Sequence, residues 1–499
     1  SPSVHPIATG DPTDNPPPRA AGEETPRGPL TRWAWTTFIV LFAMNLLDYI
    51  DRWVLSAVLP SIQKEFTLSN ESAGTFNLWF LLCYSLVSPF MGWAGDRTRR
   101  TRLLFVGVGL WSLATVGTGL ARSSTEIFIA RALLGVGEAT YGVIAPTMLM
   151  DLFARRSRAR VLSWFYLAMP FGGAIGMALG GYIAAHHGWR LAFFIAGAPG
   201  LIAAFSALFL PEPIRGASEG LDADQLKAHE RKGHSHHDYV DLLVNSSYTY
   251  SVFGMTAYTF AIGGFAYWMP TFLSVARKIP HDRATAMLGV VTASAAIVGM
   301  TLGGILSDAL ARSRPRMLFI VPGIAMLASI PFVFLGLLSS SEPSIFAGIF
   351  FAEMLMFMNT GPCNAIIANV VVPNLRATAY AVAIFTVHIL GDVWSPKLMG
   401  WVADTFGEAD TMSTSFGQLF AALGAVPTMS EGRAPENLTA GMLVVVPALL
   451  ISGTVLLAGA RHLPREMARM AARLRASSVV PSRPTPDPDD QLSSPPGLG

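Results

Sequence analysis

The sequence predicts an all-α membrane protein with twelve transmembrane helices arranged as two six-helix bundles. The 499 residues are 52% hydrophobic and only 14% charged, whereas soluble domains carry roughly 25% charged residues. The apolar residues fall into long runs separated by short arginine-rich bridges, and about 20 apolar residues suffice for one helix to cross a bilayer. Strands are excluded as spanning elements, because open sheet edges leave backbone groups unpaired in lipid.

The predicted spans follow one another with short connections. They cover residues 33–60, 74–95, 101–121, 125–150, 158–185, 190–211, 249–276, 284–311, 316–338, 343–371, 376–405 and 439–462. Residues 31–211 are then the N-terminal six-helix bundle and residues 249–462 the C-terminal one, joined by the polar cytoplasmic linker 212–248. The stretch 406–438 is predicted to be the long exterior loop.

The two ends of the chain differ from its apolar middle. Residues 1–30 are polar and proline-rich, as is the end from about Val480, so both are predicted to be disordered cytoplasmic tails. The segment 463–499 begins with arginines that recur among Met, Ala and Leu as far as Arg475. This pattern predicts a short basic helix on the membrane surface.

The distribution of basic residues predicts the orientation in the membrane. Bridges after the even-numbered spans hold sixteen Lys and Arg, against seven in the opposite bridges. Cytoplasmic loops carry the excess of Lys and Arg. Both termini are therefore predicted to be cytoplasmic, in a multi-pass protein of the cell membrane.

Composition excludes several other classes of protein. A net charge of +2 argues against a nucleic-acid binder. The two cysteines, Cys83 and Cys363, lie in apolar segments, so no disulfide framework or cysteine metal site is predicted. No nucleophile–base pair or metal-ligand cluster stands out, and we predict neither an enzyme nor a cofactor.

Two stretches recur at nearly one offset, which predicts a duplicated half. Gly92 and Asp96 follow span 2, and Gly304 and Asp308 follow span 8, each 212 residues later. Pro60 and Pro270, expected to end spans 1 and 7, lie 210 residues apart. Parallel repeats of this kind build secondary transporters with a substrate site near the midplane.

The first of these stretches, Gly92-x-x-x-Asp96-Arg97-x-Arg99-Arg100, resembles the span 2–3 motif of the major facilitator superfamily. We expect Gly92 to let two helices approach closely. Asp96 is expected to meet arginines, with Arg97 and Arg100 as candidates, and a helix end across the interface between the halves. With Asp308 as the second-half counterpart, these residues would latch the cytoplasmic side when the protein opens outward.

Ionisable residues inside the first six spans point to a shared aqueous chamber. In span 1, Asn45, Asp48 and Arg52 share one helical face and Asp51 lies beside it; in span 4, Arg131 and Glu138 are two turns apart. A charge at the bilayer centre costs roughly 2.5–3.5 kcal/mol. The interpretation is proton coupling by Asp51, Glu138 and Asp48, and substrate binding by Arg52 and Arg131 with Tyr49 and Tyr141. The alternative is a permanent buried ion-pair cluster that fixes helix register.

The second half is less charged and more aromatic. Ala261 and Ile262 align with Asp51 and Arg52, and span 7 carries Trp268. Span 10 carries Asn359, and span 11 places His388, Asp392 and Ser395 on one face. Asn359, His388 and Asp392 are substrate-binding candidates. His388 is either a pH-sensitive gate or substrate contact, or only a partner of Asp392. We expect an anionic head group at Arg52 and Arg131 and an apolar substrate part against this half.

Several strings together are similar to the spinster branch of the major facilitator superfamily. They are Asn45-Leu46-Leu47-x-Tyr49-x-Asp51-Arg52, Arg131-x-Leu133-x-Gly135-x-Gly137-Glu138-Ala139, Ala145-Pro146-Thr147, Asp151-Leu152-Phe153 and His388-x-Leu390-Gly391-Asp392-x-x-Ser395-Pro396. The resemblance implies the major facilitator fold, a carrier with alternating access, and a substrate such as sphingosine-1-phosphate or a lysophospholipid. It implies a coupling and head-group cluster at Asp51, Arg52, Arg131 and Glu138, with His388 in the cavity. Asp48 stands where the resemblance leads us to expect asparagine. Short loops suggest a bacterial member.

The predicted function is a secondary active transporter of an amphipathic anion, coupled to protons. A proton-linked transporter of small organic anions such as sugar acids is the alternative within transport. A non-transporting membrane sensor is the alternative from another class. The predicted partners are the anionic or lipid-like substrate, protons and the lipid bilayer, with no nucleic acid, and the chain is expected to be a monomer.

Overall fold

The computed structural model describes residues 29–153, 161–162, 164–213, 242, 244–371, 376–429 and 434–478. Within these ranges the chain is mostly helical, and its β-structure is one isolated bridge between Thr428 and Glu436. The predicted disordered tails and most of the predicted linker 212–248 lie outside the described residues.

Six long helices make up the first half. They are α1 (Pro29–Phe66), α2 (Asn70–Arg97), α3 (Arg100–Leu120), α4 (Ser124–Leu152), α5 (Ala168–His187) and α6 (Trp189–Ala207). Two of them start at a serine N-cap: Ser69 accepts a hydrogen bond from the backbone N–H of Ser72, and Ser123 from that of Glu126. Such caps satisfy N–H groups that have no partner in the first helical turn.

The second half also has six membrane-length segments, several of them interrupted. They are α7 (Ser246–Thr271), α8 (His281–Ala311), α9 (Met317–Leu338), α10a and α10b (Glu342–Phe357 and Thr360–Val370), α11a and α11b (Arg376–Val387 and Ser395–Thr405), and α12a and α12b (Leu438–Leu443 and Val445–Gly459). A π-helical turn, His388–Asp392, joins α11a to α11b, and another, Phe272–Ala276, follows α7. π-Turns inside helices often occur at functional sites.

The all-α, twelve-helix prediction is confirmed. Nine of the described helices are long and apolar enough to cross a membrane, and α1, α7 and the α11 segment complete the twelve. Each predicted span coincides with one of these segments.

The expectation that Pro60 and Pro270 end spans 1 and 7 was wrong. Pro60 lies inside α1, which continues to Phe66, and Pro270 lies inside α7. A proline removes one backbone donor, but membrane helices tolerate it where neighbouring helices and local π adjustment satisfy the freed groups.

The helices pack mainly within each half. In the first half α1 packs on α5, and α4 packs on both α2 and α3; in the second half α7 and α9 pack on α12, and α10a packs on α8 and α9. Between the halves, α5 packs on α8 and α2 packs on α11b. The α5–α8 contact is close because Gly181 faces the Thr285 side chain and Gly289 faces the backbone of Ala174, leaving no room for a Cβ at either glycine.

The predicted basic segment forms a helix, α13 (Leu463–Ser478). Its Glu466 carboxylate accepts hydrogen bonds from the backbone N–H groups of Ser246 (3.0 Å) and Ser247 (2.8 Å). Since these are the first N–H groups of α7, Glu466 caps that helix. The location of α13 on a membrane surface stays a prediction.

Candidate functional site

A cavity of about 500 Å³ lies between the halves. This volume falls within the range of roughly 300–1,000 Å³ typical of small-molecule sites. The first half contributes Tyr49, Arg52, Trp53, Phe80, Arg131 and Met169, among others. The second half contributes mainly Tyr258, Ile262, Tyr267, Phe357, Tyr380, Ile384, His388 and Asp392. One wall is therefore cationic and the opposite wall is largely aromatic and aliphatic.

Arg52 lies at the edge of this cavity and is bound to two acids behind it. Its Nε lies 2.6 Å from Oε2 of Glu138 and 3.4 Å from Oδ2 of Asp48. Asp48 and Arg52 meet because they are four residues apart on α1, whereas Glu138 reaches Arg52 from α4. The sequence-based expectation that the charged faces of these two helices adjoin is met in the fold.

Arg131 also faces the cavity, but its environment differs. The residue is 2% exposed, and within the described residues neither Nε nor Nη1 has a hydrogen-bond partner. No carboxylate of the described part of the chain lies within 4.0 Å of it. Its guanidinium carbon lies 4.7 Å from the centre of the Phe80 ring. Arg131 is thus a buried cation that is available to an anion in the cavity.

Phe80 on α2 connects the two arginines, and sequence reasoning missed it. The guanidinium carbon of Arg52 lies 5.3 Å from the same ring that Arg131 approaches. α2 reaches this position because Gly135 on α4 faces the backbone of Phe80 with no space for a Cβ. Cation–π contacts contribute roughly 0.5–2 kcal/mol each. The signal was present in the sequence as Phe80 and Tyr84 one turn apart, but an aromatic residue in an apolar span is ordinarily packing.

The acids lie behind the cavity wall. Asp51 is 1% exposed; its Oδ2 accepts a hydrogen bond from the Thr115 hydroxyl over 3.0 Å. Oδ1 of Asp51 is buried with no hydrogen-bond partner among the described residues, and so is Oε1 of Glu138. Three carboxylates thus accompany two guanidiniums, so the five side chains carry a net charge of −1 when all are ionised.

His388 and Asp392 line the cavity from the second half. Nδ1 of His388 lies 2.9 Å from Oδ1 and 3.1 Å from Oδ2 of Asp392, and the π-turn between α11a and α11b carries both residues. His388 therefore bonds Asp392 and also lines the cavity, and its role as a gate or substrate contact stays a prediction. Tyr49 lies on the cavity wall as well.

Three residues proposed for substrate binding lie away from this cavity. Trp268 is 1% exposed and its Nε1 donates to the carbonyl of Pro396 (2.8 Å). Tyr141 is also buried, and its hydroxyl donates to the carbonyl of Leu41 (2.6 Å). Asn359 accepts a hydrogen bond from Sγ of Cys363. None of these three residues lines the cavity, and their role in substrate binding stays a prediction. Helical spacing alone does not distinguish a cavity face from a helix–helix contact; Tyr267, the neighbour of Trp268, is the lining residue.

The described side chains of the gating motif make their contacts outside the interface between the halves. A Cβ at Gly92 would only be in ordinary contact with Val143, so the predicted close approach does not occur there. Arg97 stacks on Trp93, and Arg100 pairs with Asp151 (2.7 Å) and Glu212 (3.4 Å), all within the first half. Among the described contacts neither arginine reaches the second half, and the latch expected in the outward-open state stays a prediction. The side chain of Asp96 lies outside the described residues.

Asp308, the second-half counterpart of Asp96, is exposed at the end of α8. It lines a smaller depression of about 350 Å³ together with Arg312, Asn369 and Met467 of α13. Within the described part of the chain, no basic nitrogen lies within 4.0 Å of its carboxylate. The predicted latch is therefore not engaged at Asp308 in this conformation.

Comparisons with known proteins place the chain among transporters. The Major Facilitator Superfamily profile matches residues 41–396. Protein spinster homolog 3 of Danio rerio is 34% identical over 402 residues, covering 77% of this chain and 80% of that protein. Protein spinster of Drosophila melanogaster is 34% identical over 383 residues, which span 75% of this chain and 62% of the relative's length. A crystal structure of a bacterial homolog to the human lysosomal transporter spinster, inward-facing and unoccupied, is similar with a TM-score of 0.73 and 21% identity, over 87% of this chain and 98% of that one.

Proposed function

This chain belongs to the Major Facilitator Superfamily and to its spinster branch, and we propose that it is a secondary active transporter that moves an amphipathic anion together with a proton. The observation that carries the proposal is Arg131, a buried guanidinium that faces the cavity without a carboxylate partner in the described part of the chain. Burying polar donors without a hydrogen-bond acceptor is costly. An anionic head group bound there would supply the missing partner.

The opposite wall supports an apolar substrate part. Ile262, Phe357 and Ile384 lie on the second-half side of the cavity. Apolar surface removed from water contributes about 25 cal/mol per Å². A single-chain phospholipid or sphingosine phosphate would therefore place its phosphate at Arg131 and Arg52 and part of its chain against the second half.

The charge balance of the first-half cluster supports proton coupling. Asp48, Asp51 and Glu138 oppose Arg52 and Arg131, so one bound proton makes the cluster neutral. An anion arriving at Arg131 adds negative charge beside these acids and favours proton uptake by one of them. Because such linkage is reciprocal, the proton also favours the anion.

Contacts between the halves support an inward-facing state. On the predicted exterior face, the Tyr267 hydroxyl donates to the carbonyl of Ala73 (2.6 Å), and Asn70 donates to Asp404 (2.7 Å). On the predicted cytoplasmic face, Asp308 is exposed and Arg100 is paired within its own half. We infer that the halves rock about the cavity to expose it to the other side, with both termini in the cytoplasm of a cell membrane.

A small organic anion such as a sugar acid is the second candidate substrate. Both guanidinium carbons lie within 5.3 Å of the Phe80 ring centre, so the cationic wall offers two groups that can bind a small carboxylate. Such a substrate would leave the apolar wall unused. The apolar wall is therefore the feature that favours the lipid.

Purified protein in proteoliposomes with an internal pH-sensitive dye tests the proposal. We expect an inward gradient of lysophosphatidic acid to acidify the lumen faster than in protein-free liposomes, and a sugar acid such as glucuronate to have no effect beyond that control. Acidification by glucuronate alone would favour the second candidate. Absence of uptake of either radiolabelled compound would contradict transport and favour the non-transporting sensor.

A further inference from the structure

A carboxyl group that the proposed transport mechanism does not use lies beside the cavity, in the second half. Glu353 on α10a is 0% exposed, and both of its carboxyl oxygens are buried without a hydrogen-bond partner in the described part of the chain. On α7, Ala261 aligns with Asp51 of α1, so that helix carries no acid at this position. Glu353 supplies one from a different helix.

The group beside this carboxyl is the hydroxyl of Thr292 on α8. Thr292 lines the cavity, yet its Oγ1 is also buried with no hydrogen-bond partner among the described residues. The Thr292 hydroxyl in the cavity wall and the Glu353 carboxyl behind it are therefore neighbours that do not form a hydrogen bond with each other in this conformation. A buried hydroxyl or carboxyl left without a partner costs free energy, so this pair is incomplete without a further hydrogen-bonding species.

The surroundings of Glu353 contain little that could balance a negative charge. α9 carries no ionisable residue between Met317 and Leu338, and the ionisable residues of α8 are confined to its two ends: His281, Asp282, Arg283 and Asp308. The ionisable neighbour on α7 is Tyr258, whose phenol lies near the Thr360 hydroxyl on the cavity wall. No basic nitrogen of the described residues lies within 4.0 Å of the Glu353 carboxyl.

We propose that Glu353 is a second proton-binding site, which exchanges its proton with the cavity through the hydroxyl of Thr292. An isolated carboxylate in an apolar interior is far more costly than the neutral acid, so the group is held as a carboxylic acid while the cavity is empty. The Thr292 hydroxyl both donates and accepts, which is what proton passage through the wall requires. A substrate ammonium fits less well, because Glu353 itself does not reach the cavity surface.

Infrared difference spectroscopy on the purified full-length protein tests this directly. The carbonyl stretch of a protonated carboxylic acid should be present in wild type and lost in Glu353→Gln, a neutral replacement of nearly the same shape that should fold. On transfer to deuterated buffer, the band should shift in wild type and in Thr292→Ser, and shift more slowly in Thr292→Val. Glu138→Gln, in the other half, should retain the Glu353 band.

Each opposite result overturns the proposal. If Glu353→Gln has the same carbonyl spectrum as wild type, Glu353 is ionised and holds no proton. If the band fails to shift in deuterated buffer, the proton is sealed in. If Thr292→Val shifts as fast as wild type, the path does not pass Thr292. None of these measurements requires transport. The Glu353 proposal can therefore fail while the proposed transport function stands, and the transport function can fail while the Glu353 proposal stands.

Discussion

Nε of Arg52 on α1 lies 2.6 Å from Oε2 of Glu138 on α4, and this pair joins the two helices that carry the ionisable cluster of the first half. Arg52 is the exposed member of the pair, since a quarter of its side chain is accessible, whereas Glu138 is fully buried. A substrate anion can therefore compete for Arg52 from the cavity. Release of Arg52 would leave Glu138 without its strongest partner and favour its protonation.

Glu138→Gln is expected to uncouple transport from the proton gradient. The amide can still accept a hydrogen bond from Arg52 but cannot bind and release a proton. We expect substrate exchange between equal pH values to continue and pH-driven accumulation in proteoliposomes to be lost. Glu126→Gln is the matched control, because Glu126 is exposed and its carboxylate bonds only the backbone N–H of Arg122 in the described contacts. Full accumulation by Glu138→Gln would remove Glu138 from the proton pathway.

Arg131→Gln is expected to weaken binding of anionic substrate selectively. A hydrogen bond to a charged group contributes about 1.5–3 kcal/mol, which corresponds to roughly a 10- to 100-fold rise in Kd. Arg131→Lys should recover only part of this loss, because lysine lacks the planar fork of donors. Binding of lysophosphatidic acid and of uncharged monoacylglycerol would be compared by calorimetry. Equal weakening for both lipids would contradict a head-group role for Arg131.

Trp268→Phe is expected to reduce stability without changing substrate affinity. The substitution removes the hydrogen bond from Nε1 to the Pro396 carbonyl and leaves that carbonyl buried without its donor, a loss of about 1–3 kcal/mol. Thermal unfolding in detergent and the apparent KM for the anion would be measured on the same preparation. A raised KM with an unchanged unfolding temperature would return Trp268 to the binding site.

The sequence predicted the helices better than the site. Apolar length identified all twelve segments, because the bilayer imposes that length on every spanning helix. The charged cluster was also predictable, since ionisable residues rarely occur in spans without a partner. The sequence could not distinguish Tyr267, which lines the cavity, from the neighbouring Trp268, which packs against Pro396. Both choices satisfy the same apolar pattern, and only the rotation of α7 against α11b decides between them.

The predicted latch shows a second limit of sequence reasoning. Gly92 and Asp96 recur as Gly304 and Asp308 at a fixed offset, but a repeat does not specify which conformation the two halves adopt. The contacts that do join the halves involve residues that no repeat identifies, such as Asn70 and Asp404. Such contacts depend on the position of whole helices, which the local pattern does not encode.

A surface ion pair gives a pH-dependent contribution to stability. The guanidinium of Arg190 donates to both oxygens of Glu65 (2.7 Å each), beyond the predicted end of span 1, and lowers the pKa of that carboxyl. The stabilisation is fully present above the ordinary glutamate pKa of roughly 4.3 and is lost as the pH falls through the lowered value. Exposed pairs contribute about 0.2–1 kcal/mol. Glu65→Gln should therefore lower the unfolding temperature at pH 7 by a few degrees at most and make no difference at pH 2; an equal effect at both pH values would contradict the ion-pair origin.

Asp404 on α11b links the halves on the predicted exterior face. Its Oδ1 accepts hydrogen bonds from the backbone N–H and side-chain amide of Asn70 (3.1 and 2.7 Å), and its Oδ2 accepts from the backbone N–H of Glu71 (2.8 Å). These are the first residues of α2, so a carboxylate of the second half caps a helix of the first. The favourable dipole of a helix N-terminus adds to the hydrogen bonds. Any state open to that face has to break this contact.

Asp404→Asn should therefore shift the protein towards the state open on that face. The amide offers one acceptor oxygen instead of two and carries no charge, a loss of about 1–2 kcal/mol or roughly a 5- to 30-fold change in the ratio of the two states. Spin labels at the exposed positions Lys64 and Glu408 would report this as a larger population of long distances. Asp410→Asn is the control, because Asp410 is an exposed acid six residues further along the chain, in the predicted exterior loop, with no side-chain partner among the described contacts. Both variants remove one negative charge from the same face, but only Asp404→Asn removes an acceptor at the start of α2. Identical distance distributions for the two variants would therefore show that the cap does not hold the halves together.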